Sequence, residues 1–375
     1  MKKHLKKIII DIDARRTKAG FGGEEKPKTI FPTIIGRSKI TDNMDIDEKV
    51  DVYIGNEAQT KKELLTITSP IKSRSEINWD DIEKILHHVF FNELKVDPEE
   101  YPVFLVENPL NPKMVREKNC EVMFESFRVP GYLSESRTVL SLFQSKKTTG
   151  IAVEIGELNC FFDSIYQGYS LPYSSLWFDF GGNHLSDYLL KMLKDQGYSF
   201  LSSDEKEISQ DIKENLCYVA YDFDEEMEFS NQKTLSESNY ELPDGKVIEI
   251  GNEKFRCAES LFKPSLIGRE EIGIHEMINK VINRAFQEQR DDLFANIVVS
   301  GESSMFPGIG ERIQKEISKL APNKVINVIA SPQRQYSGWL GGSILSTLPN
   351  SENSWILKDE YEENGPSFIH RKRIN

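Results

Sequence analysis

The chain has 375 residues, enough to bury the cores of two or more domains. A hydrophobic fraction of 38% with 29% charged residues is that of a globular protein, and a net charge of −13, from 47 basic and 60 acidic residues, argues against general nucleic-acid binding. Cys120, Cys160, Cys217 and Cys257 lie far apart with no C-x-x-C spacing, so they read as buried reduced thiols of a cytosolic protein, not as a zinc site or a disulfide framework.

In chain order, the opening MKKHLKK is basic, and only three isoleucines follow before Asp11. A signal peptide needs an apolar core of about 7–15 residues, so none is expected. No later apolar run approaches the length needed to cross a membrane. Residues 8–10 predict a buried strand ending at Asp11. A polar turn follows, Asp13-Ala14-Arg15-Arg16, and the chain returns through Lys18 to Gly22-Gly23. Such a hairpin suits a place where a divalent cation and phosphate meet: the acid orients metal-bound water, turn N–H groups hold phosphate, and Lys18 neutralises it. An ordinary β-hairpin with surface charges would use the same residues.

Strand-like residues 31–35 and 51–54 flank a polar loop, 39–50, crowded with Asp42, Asp45, Asp47 and Glu48. Asn78 is placed to cap a helix whose buried face carries Ile82, Ile85, Leu86, Val89 and Phe90. His87 and His88 lie on it, but neighbours on a helix point about 100° apart and cannot pair on a metal by themselves. Residues 113–127 and 137–143 predict further helices, with a break at Pro130-Gly131.

Residues 150–172 then repeat the first hairpin's plan: an apolar strand, an acid (Glu154), a turn at Gly156, and a return to Gly168-Tyr169. Two such hairpins suggest two related halves facing each other across a cleft. Gly181-Gly182 follow a strand ending at Asp179 and permit close backbone approach at the start of a helix over 185–193. Residues 202–221 hold an amphipathic helix with Lys213-Glu214, and the acidic run 222–228 leads to an exposed loop at 230–239. Pro243-Asp244-Gly245 signals a hairpin over 240–255. A buried strand at 296–300, the turn Gly301-Glu302-Ser303-Ser304 and a helix with Ile309, Ile313, Ile317 and Leu320 on one face follow. The stretch 339–348 supplies a glycine-containing turn and a last helix.

The segments GFGGEEKPKTIFPTIIGRSK, YIGNEAQTKKELLTITSPI, GWLGGSILSTL and GPSFIHRK resemble the actin family, in actin order and across the whole chain. The resemblance implies an α/β, actin-like two-lobed ATPase fold: duplicated α/β domains around a central nucleotide cleft. On that pattern 1–32, 70–144 and 337–375 form the large part of the first lobe and 33–69 its small part. Residues 145–180 and 270–336 form the large part of the second lobe and 181–269 its small part. ATP and Mg²⁺ would lie between the hairpins. The nucleotide-binding positions carried over are Asp11, Lys18, Gly156, Gly182, Lys213 and Glu214, with Met305 and Phe306 against adenine and Asp11 reaching the metal through water.

Other positions depart from the family. Asp13-Ala14-Arg15 replaces the phosphate-cradling Gly-Ser-Gly; Arg15 and Arg16 are expected to restore some positive charge there. Glu154 and Glu157 each replace Asp, and Leu158 replaces Gly. The glutamine that places the attacking water is Arg137, and the histidine of the hydrolytic site is Phe161. Gln210, Glu302 and Gln335 replace Arg, Gly and Lys around the base. With its catalytic positions substituted, the ATPase is expected to be weak or lost.

Phe143, Ile344, Leu345 and Leu348 match the groove that receives actin-binding proteins in the family, although core packing uses such residues equally well. The segment 262–273, an apolar plug between filament strands in the family, here carries Arg269, Glu270 and Glu271. The expected function is that of a divergent actin-like cytoskeletal protein in the cytoplasm, a filament subunit or filament-associated protein. Its partners would be actin, actin-binding proteins or itself, with neither nucleic acid nor membrane insertion. The alternative is a non-polymerising scaffold subunit of a larger complex. A small-molecule kinase on the same fold would need a catalytic base for a second substrate, and none stands out.

Overall fold

The computed structural model describes residues 6–39, 51–200, 205–232 and 238–372. The chain forms two compact units, one of Met1–Gln144 with Tyr336–Asn375 and one of Ser145–Gln335.

The first unit is built on a six-stranded sheet in the order Ile356–Leu357, Gly131–Ser136, Val103–Glu107, Ile8–Ile12, Arg16–Phe21, Thr29–Pro32. Ile8–Ile12 lies inside the sheet, antiparallel to Arg16–Phe21 and parallel to Val103–Glu107. Ile8, Ile9 and Ile10 are all fully buried, the continuous apolar run of a strand covered on both faces. One cover is the helix Ser337–Thr347, whose buried Trp339 donates its indole N–H to the Ile9 carbonyl at 3.1 Å. This helix also packs backbone to backbone on Arg137–Gln144: a Cβ on Gly341 would fall 2.1 Å from the Leu140 carbonyl oxygen.

The strand expected over 31–35 is split. Thr29–Pro32 ends the large sheet and Ile35–Ser38 starts a separate three-stranded sheet with Val52–Ile54 and Leu65–Thr68. Pro32 has no N–H with which to continue a ladder, which accounts for the break. The acids Asp42, Asp45, Asp47 and Glu48 lie outside the described residues. The helix Trp79–His87 is capped as expected, Asn78 accepting from the Asp81 N–H at 3.2 Å, and it continues as wider turns through His88–Leu94. Ile82, Ile85, Leu86, Val89 and Phe90 are all buried. His87 packs on Phe91 while His88 meets Phe31 and Glu93, so the two imidazoles diverge.

The second unit repeats the arrangement. Gly150–Ile155 is antiparallel to Cys160–Tyr166 and parallel to Ile297–Ser300, within a six-stranded sheet. Three expectations need correction. The acidic run forms most of a helix, Phe223–Asn231, whose cap Asp222 accepts from the Glu225 N–H, so residues 230–231 of the expected loop are helical. Acids in a first turn complement the positive end of the helix dipole. The hairpin narrows to Ser238–Glu241 and Val247–Ile250, and the following residues form the helix Glu253–Glu259. Ile309, Ile313 and Ile317 are buried, but Leu320, on the last turn of its helix, is 43% exposed. All four cysteines are buried and free.

Candidate functional site

In the first unit, strand register sets Asp11 opposite Lys18. Both side chains are 2% exposed, with Nζ 3.7 Å from the Asp11 Oδ2. The other Asp11 oxygen is taken by Arg137, the first residue of the helix Arg137–Gln144, whose Nη2 donates to Oδ1 at 2.6 Å. The second prong of the same guanidinium donates to Asn108 Oδ1 at 2.7 Å and stands 3.7 Å from Asp13 Oδ2. Asp13 in turn accepts from the Ala14 N–H at 2.8 Å. The turn amide that a phosphate would need is therefore satisfied by the turn's own carboxylate.

Burial pushes the Asp13 carboxyl upward, but Arg137, then Lys18, the Ala14 N–H and, last, Arg15 outweigh it and hold it below the usual carboxylate range. Of the two arginines expected to restore some positive charge, Arg15 acts on Asp13, after the larger contributions of Arg137 and Lys18. Sequence reasoning gave Arg137 only as a lost glutamine and missed Asn108. The signal for Asn108 was its place just beyond Val103–Glu107, the strand parallel to Ile8–Ile12, which carries it to the same sheet end as Asp11.

In the second unit, Glu154 occupies the corresponding place, 2% exposed, and Ser300 donates to its Oε2 at 2.6 Å. Phe161 stands across the hairpin, where the first hairpin has Lys18, and packs near Trp177 with ring centroids 6.4 Å apart. The turn is tied to the start of the helix Gly182–Asp195: the Gly182 N–H donates to Gly156 and the Asn183 N–H to Glu157, each at 3.0 Å. The close approach expected at the double glycine is real, and what approaches is the protein itself. A Cβ on Gly182 would fall 2.1 Å from Ser303 Oγ and 2.6 Å from Glu157 Oε2.

Lys213 is buried against this point, its amine donating to the Gly182 carbonyl at 2.7 Å and to Gln210 at 2.9 Å. Gly156, Gly182 and Lys213 are thus brought together, with Glu214 exposed beside them and joined to Gln210. Met305 is half-buried. Phe306 is 5% exposed in the unit's core cluster and also lines a cavity of about 380 Å³ with Gly308, Glu311, Gln314 and Arg334. His184, in the first turn of the same helix, accepts from the Gly181 N–H through Nδ1 at 3.2 Å, and burial, then Arg269, holds its imidazole below its usual pKa.

The actin family model matches residues 2–374. The chain belongs to the actin family. Proteins of that family generally bind ATP and Mg²⁺. In this actin-family chain the first hairpin does not fit those groups. The two Asp11 oxygens face Lys18 and Arg137, and the Asp13 charge lies in the turn where phosphate would be cradled.

The remaining matched positions are surface and segment contacts. Phe143 is half-buried against a core cluster that contains Leu345, 8% exposed, so Leu345 is a packing residue and not an open groove position. Ile344 and Leu348 are 43% and 37% exposed. In the charged segment, Arg269 donates to the Asp179 carbonyl at 2.6 Å and pairs with Glu271 at 2.8 Å. Among the described residues no helix is long and apolar enough to cross a membrane, and no group of acids, histidines and cysteines is placed to hold a metal.

Proposed function

We propose that this chain is a divergent actin-like cytoskeletal protein, a filament subunit or a filament-associated protein, with a degenerate ATP site and weak or lost hydrolysis. The observation that carries this is the Arg137 guanidinium on Asp11, at the position where the family uses a glutamine to place water. Phosphoryl transfer depends on a positioned water and on stabilised developing charge. A guanidinium has donors only and cannot accept a proton from water. Phe161, in place of a histidine, offers no polar atom. Asp13 would repel a phosphate. Exposed Ile344 and Leu348, with half-buried Phe143, remain as an apolar contact for actin or an actin-binding protein, and the work assigned to the chain is binding in the cytoplasm.

A second reading, a non-polymerising scaffold subunit of a larger complex, is favoured by one observation. The segment that serves as an apolar plug in the family is charged here and is fastened to its own unit by Arg269. Sedimentation of the full-length protein, alone and with actin, while phosphate release is followed tests both. Pelleting in either arm with background phosphate release supports the first reading. A soluble chain in both arms moves the assignment to the scaffold. Phosphate release that rises on pelleting would refute the degenerate site.

A further inference from the structure

We infer that Arg137 is a resident cation, doing for Asp11 and Asp13 what a divalent metal would otherwise do, so that the first hairpin is complete without metal or nucleotide. The inference rests on the degenerate-site reading for the identity of the group replaced. It goes beyond that reading by making the fold independent of the group.

The charge count supports it. Asp11 and Asp13 bring two formal negative charges, and Lys18 and Arg137 bring two positive ones, with Arg15 adding further positive charge at Asp13. The first four side chains are 2%, 13%, 2% and 6% exposed. A divalent ion entering a cluster already neutralised in this way must expel the guanidinium, and removing one member of a buried ion pair is strongly unfavourable. The guanidinium's planar fork also spans two acceptors, Asp11 and Asn108, in a way that a lysine's single ammonium cannot reproduce.

The side chain is held in that pose from behind. The first turn of Ser337–Thr347 carries Gly338, where a Cβ would fall 2.5 Å from Arg137 Cγ and 3.4 Å from Cδ. Glycine at 338 therefore makes the room that the arginine stem occupies. Three elements fix one cation: the strand end at Asn108, the helix Arg137–Gln144 and the helix Ser337–Thr347.

The test uses full-length protein stripped of nucleotide, with thermal unfolding followed in chelator and in MgCl2, and Mn²⁺ binding followed by electron paramagnetic resonance. The wild type should show the same Tm in both buffers and no saturable Mn²⁺ site. Arg137→Gln should lower the Tm in chelator, recover it with Mg²⁺, and show a saturable Mn²⁺ site that the wild type lacks. Gly338→Val keeps the charge but pushes the stem aside, and should reproduce the metal dependence should Arg137→Gln fail to fold. A wild type that loses stability in chelator and regains it with Mg²⁺ would overturn the inference. So would an Arg137→Gln protein whose lowered Tm no cation restores. A metal-dependent wild type without phosphate release sinks this inference and leaves the proposed function standing. A metal-independent wild type that pellets with nothing does the reverse.

Discussion

Replacing Ser300 with alanine tests whether Glu154 is a structural acid or one poised for chemistry. The two side chains meet across parallel strands, Ser300 opposite Glu154, with the hydroxyl donating at 2.6 Å to a carboxylate that is 2% exposed. Ser300 itself is fully buried, so no water takes the place of the lost hydroxyl without entering the sheet. A hydrogen bond to a charged group contributes about 1.5–3 kcal/mol, and a buried acceptor left short of a donor costs a similar amount. Ser300→Ala should therefore destabilise the protein by about 1.5–3 kcal/mol. For a body of roughly 150–250 residues each kcal/mol moves Tm by about 2–4 °C, so a fall of about 3–12 °C is expected. Thermal unfolding by circular dichroism gives the shift, and amide exchange at Val153 and Val299 locates it. A double-mutant cycle with Glu154→Gln isolates the pair. A Tm within experimental error of the wild type would refute the assignment, since it would mean that Glu154 does not depend on its neighbour.

Gly341→Ala places a Cβ against the Leu140 carbonyl, a backbone atom that cannot rotate away, and should cost about 1–3 kcal/mol; an unchanged guanidinium midpoint would contradict the helix packing. Arg312→Met strands Glu259, 4% exposed, which now receives two guanidinium hydrogen bonds at 3.0 Å, and should cost about 3–5 kcal/mol; Arg312→Met with Glu259→Leu should recover most of it, and equal stability of single and double variants would count against the buried pair. The fourth concerns pH. His184 is held below its usual value of 6.5 by burial and Arg269, against the opposite pull of Asp179, Asp187 and Glu271. The unfolded chain therefore takes up a proton that the folded chain refuses, and stability present above the unfolded pKa is lost as pH falls through it. His184→Gln keeps an acceptor for Gly181 without titrating, so its Tm should fall less than the wild type's between about pH 7.5 and 5.5. Parallel curves would refute the role given to His184.

The regular elements were legible because their periods are local. Ile82, Ile85, Leu86, Val89 and Phe90 name one helix face, and Asn78 its cap, before any tertiary contact is known. Charge and edges were harder. The acids at 222–228 carry no helical period, and their helix is marked only once the cap at Asp222 is seen, while Leu320 fits the helical period but lies half-exposed on a last turn. Leu345 and Ile344 are adjacent in sequence, and only the packing of Phe143 decides which one is core.

The candidate site was legible as a set of departures but not as a geometry. Arg15 and Arg16 sit in the hairpin turn and drew the expectation of some positive charge, whereas the guanidinium hydrogen-bonded to Asp11 comes from 126 positions away. No local pattern announces such a pairing. The two hairpins then show that the substitutions answer one another within each unit. The first keeps the cross-strand lysine, adds an acid at position 13 and adds a guanidinium to match it. The second replaces the cross-strand cation with Phe161 and gives its acid a hydroxyl, Ser300, from the neighbouring strand. A site decaying at random would accumulate unmatched buried charge, which folding does not tolerate. Here Asp11, Asp13 and Glu154 each have a donor from the hairpin turn, the neighbouring strand or the helix beside it. On the proposed reading, that is what a binding site given over to structure would look like, with these residues holding the fold.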